Sequence, residues 1–144
     1  MQTQKESNMA YWDTDVLTPR PEIELEKLLS YAAEKGVGLR FWVHWRALQP
    51  KLDEAFALYE KWGIKGLMVD YLDRDDQQMI EFADEILQKA AKHHLNIQFH
   101  GVWRPTGLQR TYPNLMNHEG VLNLEYNKFR NWCCPVNVRQ NFQS

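Results

Sequence analysis

Apolar positions along this chain alternate between helical spacing and short continuous runs. Between residues 21 and 35, Ile23, Leu28, Leu29, Tyr31 and Ala32 recur as a helical stripe, with Pro21 suited to a first helical position and Gly36 to a stop. Residues 38–45 are rich in aromatic and branched residues and predict a strand. Pro50 opens a second helical pattern carried by Leu52, Ala55, Phe56 and Tyr59 and closed by Gly63. A second strand is predicted over 65–71. A helix running to about His93 follows, with Met79, Ala83, Ile86, Leu87 and Ala90 on one face. Residues 95–100 form a third strand. Strands thus recur about every 30 residues, the size of a βαβ unit. After Gly101 the periodicity fades into a long loop, followed by a fourth strand expected near 121–126.

The predicted strands end on chemically useful side chains: His44 and Arg46, then Asp70 and Asp73, then His100 and Arg104. In a parallel sheet with helical crossovers the carboxyl ends of the strands share one rim, where active sites form. The expected fold class is α/β, three to four βα units of a partial (β/α)8 TIM barrel, because 144 residues fall well short of the roughly 250 of a complete one. No Gly-rich phosphate loop follows the first strand to support a flavodoxin-like sheet.

Composition narrows the function classes. A net charge of −2 gives no electrostatic footprint for nucleic acid, and no apolar run is long enough to span a bilayer. The opening MQTQKESNMAYWD does not read as a signal peptide. The two cysteines, Cys133 and Cys134, are adjacent and predict neither a disulfide framework nor a zinc cluster. The six tryptophans fit either a buried core or a sugar-stacking surface.

Asp70 is the leading candidate for chemistry. A carboxylate at a strand end can attack an anomeric carbon or activate water, and the alternative is a salt-bridged or capping aspartate. Asp73, Asp75 and Asp76 read as caps of the following helix. Glu119 and Glu125 flank the expected fourth strand. One of them could donate a proton if burial raised its pKa, and the alternative is two surface glutamates. His44 and His100 could bind substrate hydroxyls or be structural. Trp45, Tyr71 and Trp103 could stack on a sugar or pack in the core, and Arg104 and Arg110 could pair with acids or fix the loop.

The segments YWDTDVLTP, WVHWR, KWGIKGLMVDYLDRDDQQM and FHGVWRPTGLQRTYPNLMNHEGVLNLEYNK resemble glycoside hydrolase family 97 from about Tyr11 to Lys128. The run PTGLQRTYPN, followed by EG and then EY, is the most specific part. The resemblance implies a β-sandwich, a (β/α)8 barrel and a C-terminal β-domain, of which residues 11–130 look like the middle of the barrel. Residues 1–10 and 131–144 read as irregular ends, the latter departing from the family after Asn127-Lys128.

The family contains inverting and retaining α-glycosidases. The nucleophile of the retaining branch matches Asp70, in MVDY, where inverting members resemble TGY. Inverting members carry a base Glu after the His matching His100, and here that position is Gly101. The resemblance therefore implies an α-galactosidase-like retaining enzyme with Glu125, in NLEY, as proton donor. His44, Arg46, His100, Trp103 and Arg104 are the expected substrate-binding residues, and Glu119, in NHEG, matches a family calcium ligand, the others not all being identifiable in this segment. It also implies an α-linked oligosaccharide or galactoside substrate, flanking domains beyond this segment, and a periplasmic or secreted bacterial setting. The rivals are a non-catalytic sugar-binding module and an inactive fragment.

Overall fold

A computed structural model describes residues 15–20 and 22–120. Within them the order is α1 (Leu25–Glu34), β1 (Arg40–His44), α2 (Trp45–Leu48), a 3-10 turn (Gln49–Lys51), α3 (Leu52–Lys61), β2 (Gly66–Asp70), α4 (Gln77–Lys92), β3 (Asn96–His100), α5 (Leu108–Thr111) and β4 (Leu115–Glu119). The four strands form one sheet in the order β1-β2-β3-β4, and every pairing is parallel. Each strand lies beside the one made before it, with helix α3 between β1 and β2 and α4 between β2 and β3, as in successive units of a (β/α)8 barrel.

Strand side chains alternate between two faces. Phe41 and Val43, Leu67 and Val69, and Ile97 and Phe99 are buried. They share one core cluster with Ala55, Phe56 and Tyr59 of α3 and Met79, Phe82, Ala83, Ile86, Leu87 and Ala90 of α4. The alternate positions carry Arg40, Trp42 and His44 on β1, Met68 and Asp70 on β2, and Gln98 and His100 on β3. Trp42 is in register with Met68, and His44 with Asp70. Across this second face the Arg40 guanidinium reaches Oε1 of Gln98 at 3.3 Å. The sheet therefore presents an apolar face to the helices and a polar one to the barrel interior.

Helix ends follow local chemistry. Asp76 caps α4 by accepting from the Met79 amide at 3.2 Å and holds Arg74 Nε at 2.6 Å, so it plays the expected capping part. At the other end of α4, His93 pairs with Glu60 of α3 at 2.8 Å.

The structure corrects several expectations. The first strand ends at His44, and Trp45 already begins α2 because His44 Nδ1 accepts from the Arg46 amide and caps that helix. Pro50 lies in the 3-10 turn, so α3 starts at Leu52. The first helix buries Leu25 and Ala32, and Ile23 and Leu29 pack partly buried against the core, whereas Leu28 and Tyr31 are exposed at 42% and 60%, so only part of the predicted stripe faces inward. A fourth strand occupies 115–119, inside the stretch expected to be loop, while 121–126 lies outside the described residues. Only Leu115 of β4 is buried, so its sequence LMNHE shows no apolar alternation. The register shift between Ile97 and Gln98 places Met116 outside the pairing, 64% exposed.

Candidate active site

Asp70 ends β2 with only 6% of its surface exposed. Burying a carboxylate is costly unless hydrogen bonds replace water, and three donors converge on this one. Oδ1 accepts from the Tyr71 amide at 2.6 Å and faces His100 Nδ1 at 2.9 Å. Oδ2 accepts from the Trp42 indole Nε1 at 2.8 Å. Burial pushes the Asp70 carboxyl up. The His100 hydrogen bond and charge, with the bonds from Trp42 and Tyr71, outweigh it and leave the carboxyl below its ordinary value. The site thus keeps a buried aspartate ionised.

The other nitrogen of His100 faces a second carboxylate, with Nε2 3.2 Å from Oε2 of Glu119. His100 and Glu119 are register partners on β3 and β4. A neutral imidazole donates from one nitrogen only, so His100 serves both carboxylates as donor only in its charged form.

Backbone geometry at the rim is unusual in two places. Tyr71 has φ of +67°, a left-handed conformation that costs a non-glycine residue about 1–2 kcal/mol. It turns the chain sharply after Asp70 and is accompanied by the amide contact to Oδ1. Opposite it, Gly101 has φ of +54°, and a Cβ built there would lie 3.2 Å from Asp70 Oδ1 and 3.5 Å from the Tyr71 nitrogen. The missing side chain at 101 is what leaves room for the carboxylate at 70.

His44 is buried and stacks on Tyr71. Burial and the Arg46 charge lower its pKa, against the opposing pull of Asp70 and Asp73. With Nδ1 accepting from the Arg46 amide, the neutral ring carries its proton on Nε2. Among the other expected residues, Arg46 is exposed with its guanidinium 5.3 Å from the Trp45 ring, and Arg104 is exposed on the loop after β3. Trp103 is half-buried, edge-on to His118 at 5.7 Å, and its carbonyl accepts from His118 Nε2 at 2.6 Å. Its buried indole nitrogen has no hydrogen-bond partner among the described residues. Trp45 belongs to the core, tilted against Phe82 at 6.2 Å, whereas Tyr71 is 45% exposed.

Asp70, His100 and Glu119 therefore converge with His44 on one rim. Glu125 lies outside the described residues. Trp42 joins the group although it did not stand out in the sequence. Its signal was position alone, two residues before His44 on the same strand face.

Calcium takes six to eight oxygen ligands. Among the described residues no group of three His, Cys, Asp or Glu side chains is placed to hold a metal, and the Glu119 carboxylate faces a nitrogen of His100. These residues do not form a calcium centre by themselves.

Known proteins place this arrangement in a family. The chain is 40% identical over 121 residues to a retaining alpha-galactosidase of Bacteroides thetaiotaomicron, covering 84% of this chain and 18% of that protein. It is 38% identical over 112 residues to a probable retaining alpha-galactosidase of Streptomyces bingchenggensis, covering 76% of this chain and 16% of that protein. The chain thus spans less than a fifth of the length of these relatives. Among solved structures, a glycoside hydrolase family 97 enzyme from Pseudoalteromonas sp. strain K8, in complex with acarbose, matches with a TM-score of 0.72 at 27% identity, over 78% of this chain and 20% of that one. A beta-arabinopyranosidase matches with a TM-score of 0.69 at 28% identity over the same shares. A sequence model of the family Glycoside hydrolase 97 matches residues 2–121. With the four-stranded parallel sheet and the rim just described, the chain belongs to glycoside hydrolase family 97, as part of its catalytic barrel.

Proposed function

We propose that the polypeptide carrying this chain hydrolyses α-galactosidic bonds with retention of configuration, with Asp70 as the nucleophile. The observation that carries this reading is the buried, ionised Asp70 at a strand end, its room secured by Gly101. Two relatives, one named a retaining alpha-galactosidase and one a probable retaining alpha-galactosidase, support the sugar and the stereochemistry. The binding of acarbose and panose by the Pseudoalteromonas enzyme supports a carbohydrate in the site.

In the first step an Asp70 oxygen bonds to the anomeric carbon as the bond to the leaving oxygen breaks. Glu125, by family resemblance, gives that oxygen its proton. In the second step Glu125 takes a proton from water, the water oxygen bonds to the anomeric carbon, and Asp70 departs as a carboxylate. Such a pair works about 5–5.5 Å apart. His100 keeps Asp70 charged between turnovers. His44 offers its Nε2 proton, and Arg46, Trp103 and Arg104 extend the substrate surface beyond it. By family resemblance Glu119 would be one ligand of a calcium ion, with at least one other supplied by the N-terminal domain.

The test is Asp70→Asn in the complete polypeptide, assayed on an aryl α-galactoside. Hydrolysis should fall by more than about 1000-fold, and azide should restore turnover with a β-galactosyl azide as product. Full activity in this variant rejects Asp70 as nucleophile. An α-configured azide product rejects retention through it.

A further inference from the structure

The three donors at Asp70 divide its two oxygens unequally. Oδ1 has the Tyr71 amide and the His100 ring, at 2.6 and 2.9 Å. Oδ2 has the Trp42 indole at 2.8 Å. When a carboxylate attacks carbon, one oxygen becomes the bridging oxygen of an ester and the other its carbonyl. The bridging oxygen gives up a lone pair to the new bond and becomes a poor acceptor. The carbonyl oxygen remains a good one and gains from donors that polarise it. Oδ1, holding two donors, one of them the neighbouring amide, suits the carbonyl role. Oδ2 holds one donor among the described residues and has a second lone pair to offer.

We propose that Trp42 is a positioning residue for the nucleophile: its indole N–H fixes the plane of the Asp70 carboxylate and presents Oδ2 as the attacking oxygen. This deepens, and rests on, the nucleophile reading of Asp70. The fold explains why Trp42 can do this. It sits on the same strand face as His44, in register with Met68, two residues short of Asp70 on β2. Its ring reaches diagonally to the rim and is steadied edge-on against Tyr71, with centroids 6.2 Å apart and planes at 89°. A carboxylate held only through Oδ1 could swing about that oxygen. The bond at Oδ2 removes this freedom, and a neutral indole donor withdraws less nucleophilicity from Oδ2 than a cation there would.

Trp42→Phe keeps an aromatic ring on the strand and deletes the donor with the rest of the pyrrole ring. In the complete polypeptide it should lower kcat on an aryl α-galactoside by roughly 10- to 100-fold, because a carboxylate free to rotate spends less time aimed at the anomeric carbon. KM should stay within about threefold, since the lost contact is to the protein rather than to the sugar. A second measurement does not depend on that variant folding. With tryptophan labelled by 15N at the indole, the Trp42 resonance, assigned through its contact with Tyr71, should move in Asp70→Asn while the other indole resonances hold still. An unchanged kcat in Trp42→Phe overturns the proposal, as does an indole resonance indifferent to Asp70. If Asp70→Asn itself hydrolyses normally, the nucleophile reading has failed first, and the two failures are told apart by that variant alone.

Discussion

The ring of His44 lies on the ring of Tyr71, with centroids 4.9 Å apart and planes 21° from parallel. This contact joins the ends of β1 and β2 and covers His44, whose pKa is lowered by burial and by Arg46. A group whose pKa is lower in the folded state takes up its proton more readily when unfolded, so stability is lost as pH falls below the unfolded value near 6.5. His44→Asn keeps a capping acceptor for the Arg46 amide and removes the titration. Urea unfolding at pH 7.5 and 5.5 should show a smaller loss for this variant than for the parent. An identical loss in both would assign the acid sensitivity elsewhere.

Gly101→Ala tests the fit around Asp70. The new methyl meets Oδ1 at 3.2 Å from a backbone that alanine adopts reluctantly. We expect about 1–2 kcal/mol of lost stability, and a larger proportional loss of activity because the methyl displaces the carboxylate. Thermal unfolding and turnover of the same sample decide it. A variant as stable and active as the parent would mean the rim yields more easily than its packing indicates.

Tyr59 ties the segment before α1 to the core. Its hydroxyl is buried and donates to the Val16 carbonyl at 2.6 Å. Burial raises the pKa of the phenol, so it stays a donor throughout the working range. Tyr59→Phe leaves a buried carbonyl without that partner and should cost about 1–2 kcal/mol, read from the urea midpoint at unchanged slope. No shift in midpoint would show that the hydrogen bond to Val16 contributes nothing to stability.

Asp15, in that same segment, accepts from Lys51, the Leu17 amide and Thr18, and these bonds bring its pKa down to about 2. A depressed carboxylate stabilises above its unfolded pKa near 3.9 and loses that contribution as pH falls toward the folded value. The pair with Lys51 is about 40% exposed on both sides, so its worth is no more than about 1 kcal/mol. Asp15→Asn should therefore differ from the parent by that much at pH 7, with the difference closing between about pH 4 and 2. A gap that persists at pH 2 would point to packing rather than charge.

The elements that bury a continuous apolar run or a clear stripe were legible: β2 within 65–71, β3 within 95–100, and α4 ending at Lys92. So was the rim, because strand ends follow directly from strand positions, and Asp70, His44 and His100 do meet there. What could not be read was set by partners rather than by local pattern. β4 is polar at Asn117, His118 and Glu119 because it pairs with β3 through its backbone and buries almost nothing. The short helix α2 exists because His44 turns back to cap it. Trp42 looked like any strand tryptophan, and only the register that brings β2 alongside puts its nitrogen on Asp70. Glu125, identified through family resemblance, lies outside the described residues.

The sheet order, which follows the order of the chain, bears on how the site comes into being during synthesis. A ribosome adds about 5–20 residues per second. Asp70 is made 30 residues before His100, a gap of about 2–6 s. Trp42 and Tyr71 are already in hand when β1 and β2 first meet, whereas the imidazole arrives with β3 and its second carboxylate with β4. The nascent rim holds an anion before it holds the imidazole that faces it, and each later strand that docks beside its predecessor draws that charge further out of water.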